Sequence, residues 1–189
     1  LTKLSFLNNI SSNLFYKGKI MNKVRIGVIG CGNISVYHLP ALSQIPQAKM
    51  LIACDLIEDK AKRACERYSI PEWTTDYHKI LNRSDIDAVV ILTLCDAHRE
   101  LVKAAIEARK HIFMQKPFAP NVREGLEIYQ TAKKANVRLV TSFMHRYFPE
   151  CIKAKQLMDE KTIGNLLMMR QRNAIPGTYE SAVSHTGAV

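Results

Sequence analysis

The chain has 189 residues, of which 47% are hydrophobic and 23% are charged, a balance typical of a globular protein. It carries 27 Lys and Arg against 17 Asp and Glu, a net charge of +10. The basic residues are spread over predicted helix faces without interleaved aromatics, which favours solvated surface charge over a nucleic-acid-binding patch. No apolar run has the length of a membrane-spanning helix. We therefore expect neither nucleic acid nor membrane among the partners.

Five cysteines occur, with no C-x-x-C pair. An odd number without paired spacing argues against a disulfide framework and against a structural zinc site. We therefore expect no metal site and a reducing, cytoplasmic location.

Residues 1–20 differ in composition from the rest of the chain. They contain no acidic residue and no Met, whereas Met21 directly precedes a clear first strand. A targeting peptide is one interpretation, because the segment is rich in Ser and lacks acids, but it also lacks Arg. We prefer a non-native or disordered extension, with Met21 as the true start.

Strands and helices alternate after Met21. Apolar runs predict strands at Val24–Ile29, Lys49–Cys54, Asp87–Thr93, His111–Gln115 and Val137–Phe143. Helical spacing predicts helices over Asn33–Gln44, over the segment from Ala61 to Tyr68, after an Asp96 N-cap, and after Asn121, which with Glu124 forms a capping-box pattern. This alternation predicts an α/β fold, a Rossmann-type doubly wound parallel sheet, over residues 21–143.

The pattern changes at Met144. Pro149 stands near the start of a predicted helix, and Gly164 leads into a predicted strand at Asn165–Arg172. We expect residues 144–189 to be the incomplete start of an α+β C-terminal domain for substrate binding and oligomerisation.

The first predicted strand ends in a glycine-rich turn. Gly30 permits a sharp bend, Gly32 lets the backbone approach a pyrophosphate, and the following helix offers free N–H groups to phosphates. Asp55 ends the second strand, twenty residues after Ser35, where a carboxylate can accept hydrogen bonds from ribose hydroxyls. A plain tight turn and a solvated carboxylate are the alternatives. Turn and acid together favour a nucleotide site.

A second candidate is Gln115-Lys116-Pro117, at the end of a predicted strand on the expected ligand-binding edge. A Lys at this place can donate a proton or a hydrogen bond to a substrate oxygen during hydride transfer. A surface lysine without a role is the alternative. The following Pro restricts the backbone and so aims the side chain.

These motifs occur in the order VRIGVIGCGNIS, HLPAL, Asp55, HIFMQKPFA and MHRYFP, and together they resemble the Gfo/Idh/MocA family of nicotinamide-dependent oxidoreductases. The resemblance implies a pyrophosphate cradle of Gly30, Gly32, Asn33 and Ile34, with Asp55 on the ribose. It implies further cofactor contacts from Thr93, Leu94, Cys95, His98, Gln115, Lys116 and Arg146. Lys116 is the catalytic residue implied.

The sequence departs from the family at two motifs. Glu-Lys-Pro is replaced by Gln-Lys-Pro at Gln115, and Leu94-Cys95-Asp96 stands where the family has Pro-Asn after the Thr. Both departures alter expected contacts around the cofactor. The family's downstream Asp and His are not matched, because Ser184-His185-Thr186 lacks their pattern.

The resemblance implies hydride transfer between NAD and a sugar, polyol or related hydroxy or keto compound. NADP is disfavoured because Asp55 would repel its extra phosphate and no Arg follows directly. The alternatives are a non-catalytic NAD-binding regulatory module of the same fold and an inactive fragment. The expected partners are a small-molecule substrate and, in the full-length form, further copies of the same protein.

Overall fold

The structure, a computed structural model, describes residues 23–170. The predicted extension at residues 1–20, the last two residues of the predicted strand Asn165–Arg172, and His185 lie outside the described residues. The chain forms two compact units that divide between Phe143 and Met144.

A parallel sheet of six strands, in the order β3-β2-β1-β4-β5-β6, forms the first unit. This order is that of a doubly wound dinucleotide-binding fold. The strands are β1 (Val24–Ile29), β2 (Ala48–Cys54), β3 (Glu72–Thr74), β4 (Ala88–Ile91), β5 (His111–Met114) and β6 (Leu139–Thr141). The predicted α/β fold class is confirmed.

Helices cover both faces of the sheet. They are α1 (Ser35–Ser43), α2 (Glu58–Tyr68), α3 (His78–Leu81), α4 (His98–Glu107) and α5 (Val122–Lys134). Leu39 of α1 and Ala64 of α2 pack with Val28 on one face. Val102 of α4 and Ile128 of α5 belong to the core of the other face. The sheet is thus buried on both sides, which explains why its central strands are continuous apolar runs.

One row of paired residues crosses the sheet at the carboxyl ends of all six strands, and we call its four central members the strand-end row. Its members are Cys54, Ile29, Ile91 and Met114, in spatial order. The residues that directly follow them are Asp55, Gly30, Leu92 and Gln115. Hydrogen bonds continue past the row, since the N–H of Gly30 donates to the carbonyl of Cys54 at 2.8 Å. The loops that leave the row therefore start from a common edge.

The pairing of β1 with β2 is interrupted once. Ile26 pairs with Met50 but Gly27 pairs with Ile52, so that Leu51 is an additional residue in β2. An additional residue of this kind is a bulge that displaces the rest of its strand by one position.

The first unit differs from the sequence expectations in three places. Asp96 does not cap α4, because a 3-10 turn at Cys95–Ala97 comes first and the helix begins at His98 without a side-chain cap. Glu72–Thr74 and His78–Leu81 form an unpredicted short strand and short helix. Val137–Phe143 contributes only three strand residues, Leu139–Thr141. The predicted Asn121 cap is confirmed, with its side chain accepting from the Glu124 N–H at 3.0 Å.

The second unit contains a 3-10 turn, Met144–Tyr147, and helix α6, Pro149–Asp159, with Pro149 in its first turn as predicted. Residues 165–170, the described part of the predicted strand at Asn165–Arg172, form no strand. Across residues 23–170, no helix combines the length and the apolar character needed to cross a membrane.

Candidate functional site

The candidate site lies where β1 and β4 run side by side. The chain leaves β1 into α1 on one face of the sheet, and it leaves β4 towards α4 on the other. Divergent connections of this kind open a crevice outside the carboxyl ends of two parallel strands, where open α/β sheets bind ligands. Gly30 and Leu92 stand at its two sides and directly follow the strand-end row.

The turn after β1 requires glycine at Gly30. Its φ is +98°, and a Cβ there would lie 2.8 Å from the carbonyl carbon of Leu92, which is backbone and cannot rotate away. Gly32 differs, because a Cβ there would meet nothing within 4 Å. Gly30 thus allows the turn to pass close to β4, while Gly32 leaves open space at the start of α1.

Backbone donors are free in this open space. The N–H groups of Gly32, Asn33 and Ile34 have no hydrogen-bond partner among the described residues. They precede the first turn of α1, whose dipole adds positive character. Successive free N–H groups at a helix start suit an anionic oxygen group such as a pyrophosphate.

Asp55 ties the end of β2 to the glycine turn. One carboxylate oxygen accepts the N–H of Cys31 at 2.8 Å, and the other accepts the N–H of Ile57 at 2.9 Å. An ionised carboxylate has about four acceptor positions, so further acceptor capacity remains for a ligand hydroxyl. Asp55 therefore lies beside the turn, as the sequence predicts, and also orders it.

A basic cavity of about 240 Å³ opens beside the turn. Gly32 and Asn33 line one wall, and Lys60, Arg63 and Arg67 of α2 line another. The hydroxyl of Tyr68, a further lining residue, is buried without a hydrogen-bond partner. Three cations beside free backbone N–H groups make the surroundings of the turn favourable to phosphate charge. The sequence prediction overlooked Arg67, although its spacing from Lys60 and Arg63 places all three on one helix face.

Cys31 lies within the turn but is not a nucleophile. Burial, with a smaller effect from the charge of Asp55, raises the pKa of its thiol to about 12. The thiol donates to the carbonyl of Cys54 at 3.6 Å. Because the thiolate is the reactive form of cysteine, this residue serves packing.

The loop after β4 forms the opposite side of the crevice. The hydroxyl of Thr93 is buried without a partner within the described structure, whereas the Leu94 side chain is 78% exposed. Cys95 begins the 3-10 turn, and burial raises the pKa of its thiol. This loop is where the sequence predicts cofactor contacts, and Leu94 is the residue of the three whose side chain is most open to a ligand.

The segment after β5 holds the candidate catalytic lysine. Lys116 is exposed, and its backbone N–H donates to the side-chain oxygen of Gln115 at 2.7 Å. Gln115 itself is buried, at 6% exposure. The peptide bond between Lys116 and Pro117 is cis. The lysine side chain is therefore open to a ligand while its backbone is held.

His98, at the start of α4, is a buried residue. Its ring is only 1% exposed, with Nδ1 3.0 Å from the carbonyl oxygen of Pro117 and Nε2 3.2 Å from that of Thr93. The ring thus lies between the loop after β4 and the segment after β5. Its expected cofactor contact stays a prediction.

The remaining predicted residues fall into two sets. The structure brings together, at the carboxyl edge of one sheet, the predicted residues Gly30, Gly32, Asn33, Ile34, Asp55, Thr93, Leu94, Cys95, Gln115 and Lys116. Arg146 belongs to the second unit, on the 3-10 turn Met144–Tyr147, and its predicted role at the nicotinamide end stays a prediction.

The site fits a dinucleotide on the chemistry of its donors. Free N–H groups follow Gly30, a missing side chain at Gly32 leaves room, and the cavity beside them is basic. The carboxylate of Asp55 stands next to the same turn. These groups match phosphates and a ribose hydroxyl respectively.

Comparisons with known proteins agree with this geometry. Residues 24–143 match the family model GFO_IDH_MocA, described as an oxidoreductase family with an NAD-binding Rossmann fold. The inositol 2-dehydrogenase/D-chiro-inositol 3-dehydrogenase of Lactiplantibacillus plantarum is 32% identical over 166 residues, which are 85% of this chain and 47% of that protein. The myo-inositol 2-dehydrogenase of Thermotoga maritima is 32% identical over 155 residues, 81% of this chain and 46% of that protein.

A solved structure gives the same result. The scyllo-inositol dehydrogenase from Lactobacillus casei, with bound cofactor NAD(H) and scyllo-inositol, superposes with a TM-score of 0.71 at 26% identity, covering 76% of this chain and 43% of that one. The chain thus spans about half the length of the curated relatives it matches. The matched range includes the whole six-stranded sheet and every predicted site residue except Arg146. The chain belongs to the Gfo/Idh/MocA family of oxidoreductases with an NAD-binding Rossmann fold.

Proposed function

We propose that the protein is an NAD-dependent oxidoreductase that transfers hydride between NAD and a hydroxyl-bearing carbon of a sugar, a polyol or a related hydroxy or keto compound. The observation that supports it best is the run of free N–H groups at Gly32, Asn33 and Ile34. They belong to the turn in which the Cys31 N–H donates to Asp55 and Gly30 lies close to the backbone of Leu92. NAD, when bound, accepts or returns the hydride, and the protein supplies binding and orientation.

The cofactor assignment follows the charges around the turn. The three N–H groups and the positive end of α1 would bind the pyrophosphate. Asp55 would accept ribose hydroxyls, and Thr93 and Leu94 would line the opposite side of the crevice. A carboxylate at Asp55 favours NAD over NADP, because a second phosphate on that ribose would meet a negative charge.

Lys116 would act on the substrate oxygen. Its backbone is held by Gln115 while its side chain is exposed, so it can donate a hydrogen bond to the oxygen whose carbon exchanges hydride. In oxidation the substrate carbon would lose hydride to NAD while its hydroxyl proton passes to water, and a positioned ammonium group would stabilise the charge that develops on the oxygen.

The substrate class comes from the relatives. Two proteins that are 32% identical are named as inositol dehydrogenases, and the superposed structure holds scyllo-inositol. We therefore propose cyclic polyols, with inositols as the first compounds to test. We further propose a homo-oligomer and, from the cysteine count and spacing, a cytoplasmic location.

Two measurements test NAD binding and the oxidation reaction separately. NAD is titrated by calorimetry, and NADH formation is followed by absorbance with myo-inositol and scyllo-inositol. Lys116→Ala should lower turnover by about two orders of magnitude while NAD affinity changes little, because the lost group acts on the substrate oxygen. Lys79→Ala, at an exposed lysine of α3, is the control. NAD binding without turnover on either inositol would contradict an inositol dehydrogenase, and equal turnover in Lys116→Ala would contradict the role of the lysine.

A further inference from the structure

A hydrogen-bonded chain joins helix α1 to the backbone of Lys116. The side-chain oxygen of Gln115 accepts the Lys116 N–H at 2.7 Å, and its side-chain nitrogen lies 3.1 Å from Nε2 of His38. The His38 ring in turn packs edge-on against Phe113 of β5, with 5.6 Å between ring centroids. Gln115 thus links two elements that are distant in sequence.

The protons in this chain can be assigned by elimination. A backbone N–H can only donate, so the Gln115 atom that it meets must be the oxygen. The NH2 group of Gln115 therefore faces His38, and it too can only donate. Nε2 of His38 must then accept, which requires a neutral ring with its proton on Nδ1.

His38 is placed to remain neutral. It is half-buried, and burial lowers the pKa of its imidazole. No charged group is hydrogen-bonded or ion-paired to the ring in the part of the chain that the structure describes. The neutral amide of Gln115 can therefore donate to the neutral ring of His38, whereas a carboxylate at position 115 would require a proton on Nε2 of His38.

We propose that His38 and Gln115 are positioning residues for Lys116, forming a neutral relay that fixes the lysine backbone against α1. The value of this relay for hydride transfer rests on the proposed function, but its existence does not. The relay explains how the chain holds Lys116 without the carboxylate that the family motif carries: an amide provides the acceptor for Lys116 and the donor for His38 at once.

The experiment uses nuclear magnetic resonance on the isotope-labelled chain without cofactor. Gln115→Met keeps the length and burial of the side chain but removes its acceptor, so amide exchange at Lys116 should accelerate about tenfold. His38→Phe keeps the aromatic contact with Phe113 and should also accelerate exchange, by releasing Gln115. Gln130→Met, at an exposed position of α5, is the matched control and should leave Lys116 unchanged. Unchanged exchange at Lys116 in Gln115→Met would overturn the proposal.

Gln115→Glu provides a second, opposite test. A carboxylate still accepts the Lys116 N–H, so protection at Lys116 should return. The same carboxylate faces His38, which should now carry a proton on Nε2, with a pKa about one unit or more above that in the original chain. A His38 ring with an unprotonated Nε2 and an unshifted pKa in Gln115→Glu would also overturn the relay.

The same variants distinguish this inference from the proposed function. If the chain failed to bind NAD but its Lys116 amide responded to Gln115→Met, the relay would stand and the cofactor proposal would fall. If NAD bound and the amide did not respond, the cofactor proposal would stand and the relay would fall. In a turnover assay a positioning role predicts that Gln115→Met lowers kcat about tenfold, since the aim of Lys116 is lost.

Discussion

Alanine at Gly30 and alanine at Gly32 should have opposite consequences, although the two residues are separated by one position. Gly30 has φ +98°, and an added Cβ would lie 2.8 Å from the carbonyl carbon of Leu92 and 3.0 Å from the Leu92 oxygen and the Thr93 nitrogen. All three atoms are backbone at the end of β4. Gly30→Ala must therefore strain its own turn or move the strand end.

The expected cost can be worked from these two effects. A non-glycine residue in such a backbone conformation costs about 1–3 kcal/mol, and forcing an atom into a packed region costs about 1–3 kcal/mol more. We expect Gly30→Ala to lower the free energy of unfolding by about 4 kcal/mol. Gly32→Ala adds a Cβ in open space, so its free energy of unfolding should stay within about 1 kcal/mol of the original.

The two variants should rank in the opposite order for NAD affinity, because Gly32→Ala, which changes stability less, should weaken NAD binding more. The added Cβ of Gly32→Ala stands where the pyrophosphate is proposed to lie, and NAD affinity should fall about tenfold or more. Urea unfolding can be followed by fluorescence of Trp73, the single tryptophan, and NAD affinity by calorimetry. A Gly30→Ala variant as stable as the original would refute the close approach to β4, and undiminished NAD binding by Gly32→Ala would refute the proposed pyrophosphate position.

Three further predictions concern other contacts. His98→Leu should lower the free energy of unfolding by about 1–3 kcal/mol in urea unfolding, because one of the two carbonyl oxygens beside the buried ring, that of Pro117 or that of Thr93, loses the ring N–H that donates to it; a loss under about 0.5 kcal/mol would contradict that. The double variant Arg63→Gln, Arg67→Gln should weaken NAD binding about three- to tenfold and reduce its salt dependence in calorimetry, and an unchanged affinity would remove the basic cavity from the cofactor site. The hydrogen bonds of Arg25 hold the pKa of Asp87 below its usual 3.8, so this carboxylate stabilises the fold above about pH 4 and the stability is lost as the pH falls through the lowered pKa. Asp87→Asn should show a smaller loss of unfolding free energy between about pH 4 and pH 2, and an equal loss would contradict the linkage.

The sequence was sufficient to predict the strands whose residues are buried on both faces of the sheet. Strands β1 and β4 lie inside a sheet covered on both faces, and complete burial makes a strand a continuous apolar run. The glycine turn was predictable because backbone geometry restricts Gly30 to glycine, and the position of Asp55 because strand ends meet at one edge. Local chemistry was also sufficient for the Asn121 cap, whose partner is three residues away.

Contacts between distant segments were not predictable in this way. The spacing around His98 indicates a helix start, but nothing nearby in sequence shows that its ring meets the carbonyl of Pro117, nineteen residues on. His38 and Gln115 are separated by 77 positions, and only the sheet brings them together. Helix α5 has two apolar faces at helical spacing. Val122, Leu126 and Tyr129 lie on the exposed face, whereas Gly125, Ile128 and Ala132 are buried. Helical spacing alone does not say which of two faces a sheet will cover.

The bulge at Leu51 has a consequence for the position of the Asp55 carboxylate, which is proposed to bind a ribose. If β2 kept its length but paired with β1 without the bulge, Ile29 would pair with Ala53 instead of Cys54, and Asp55 would stand one residue, about 3.3 Å, further beyond the end of β1. The bulge therefore helps to bring the Asp55 carboxylate within hydrogen-bonding distance of the Cys31 N–H. A change near the middle of β2 that removed the bulge at constant strand length would move Asp55 without changing any residue of the proposed cofactor site.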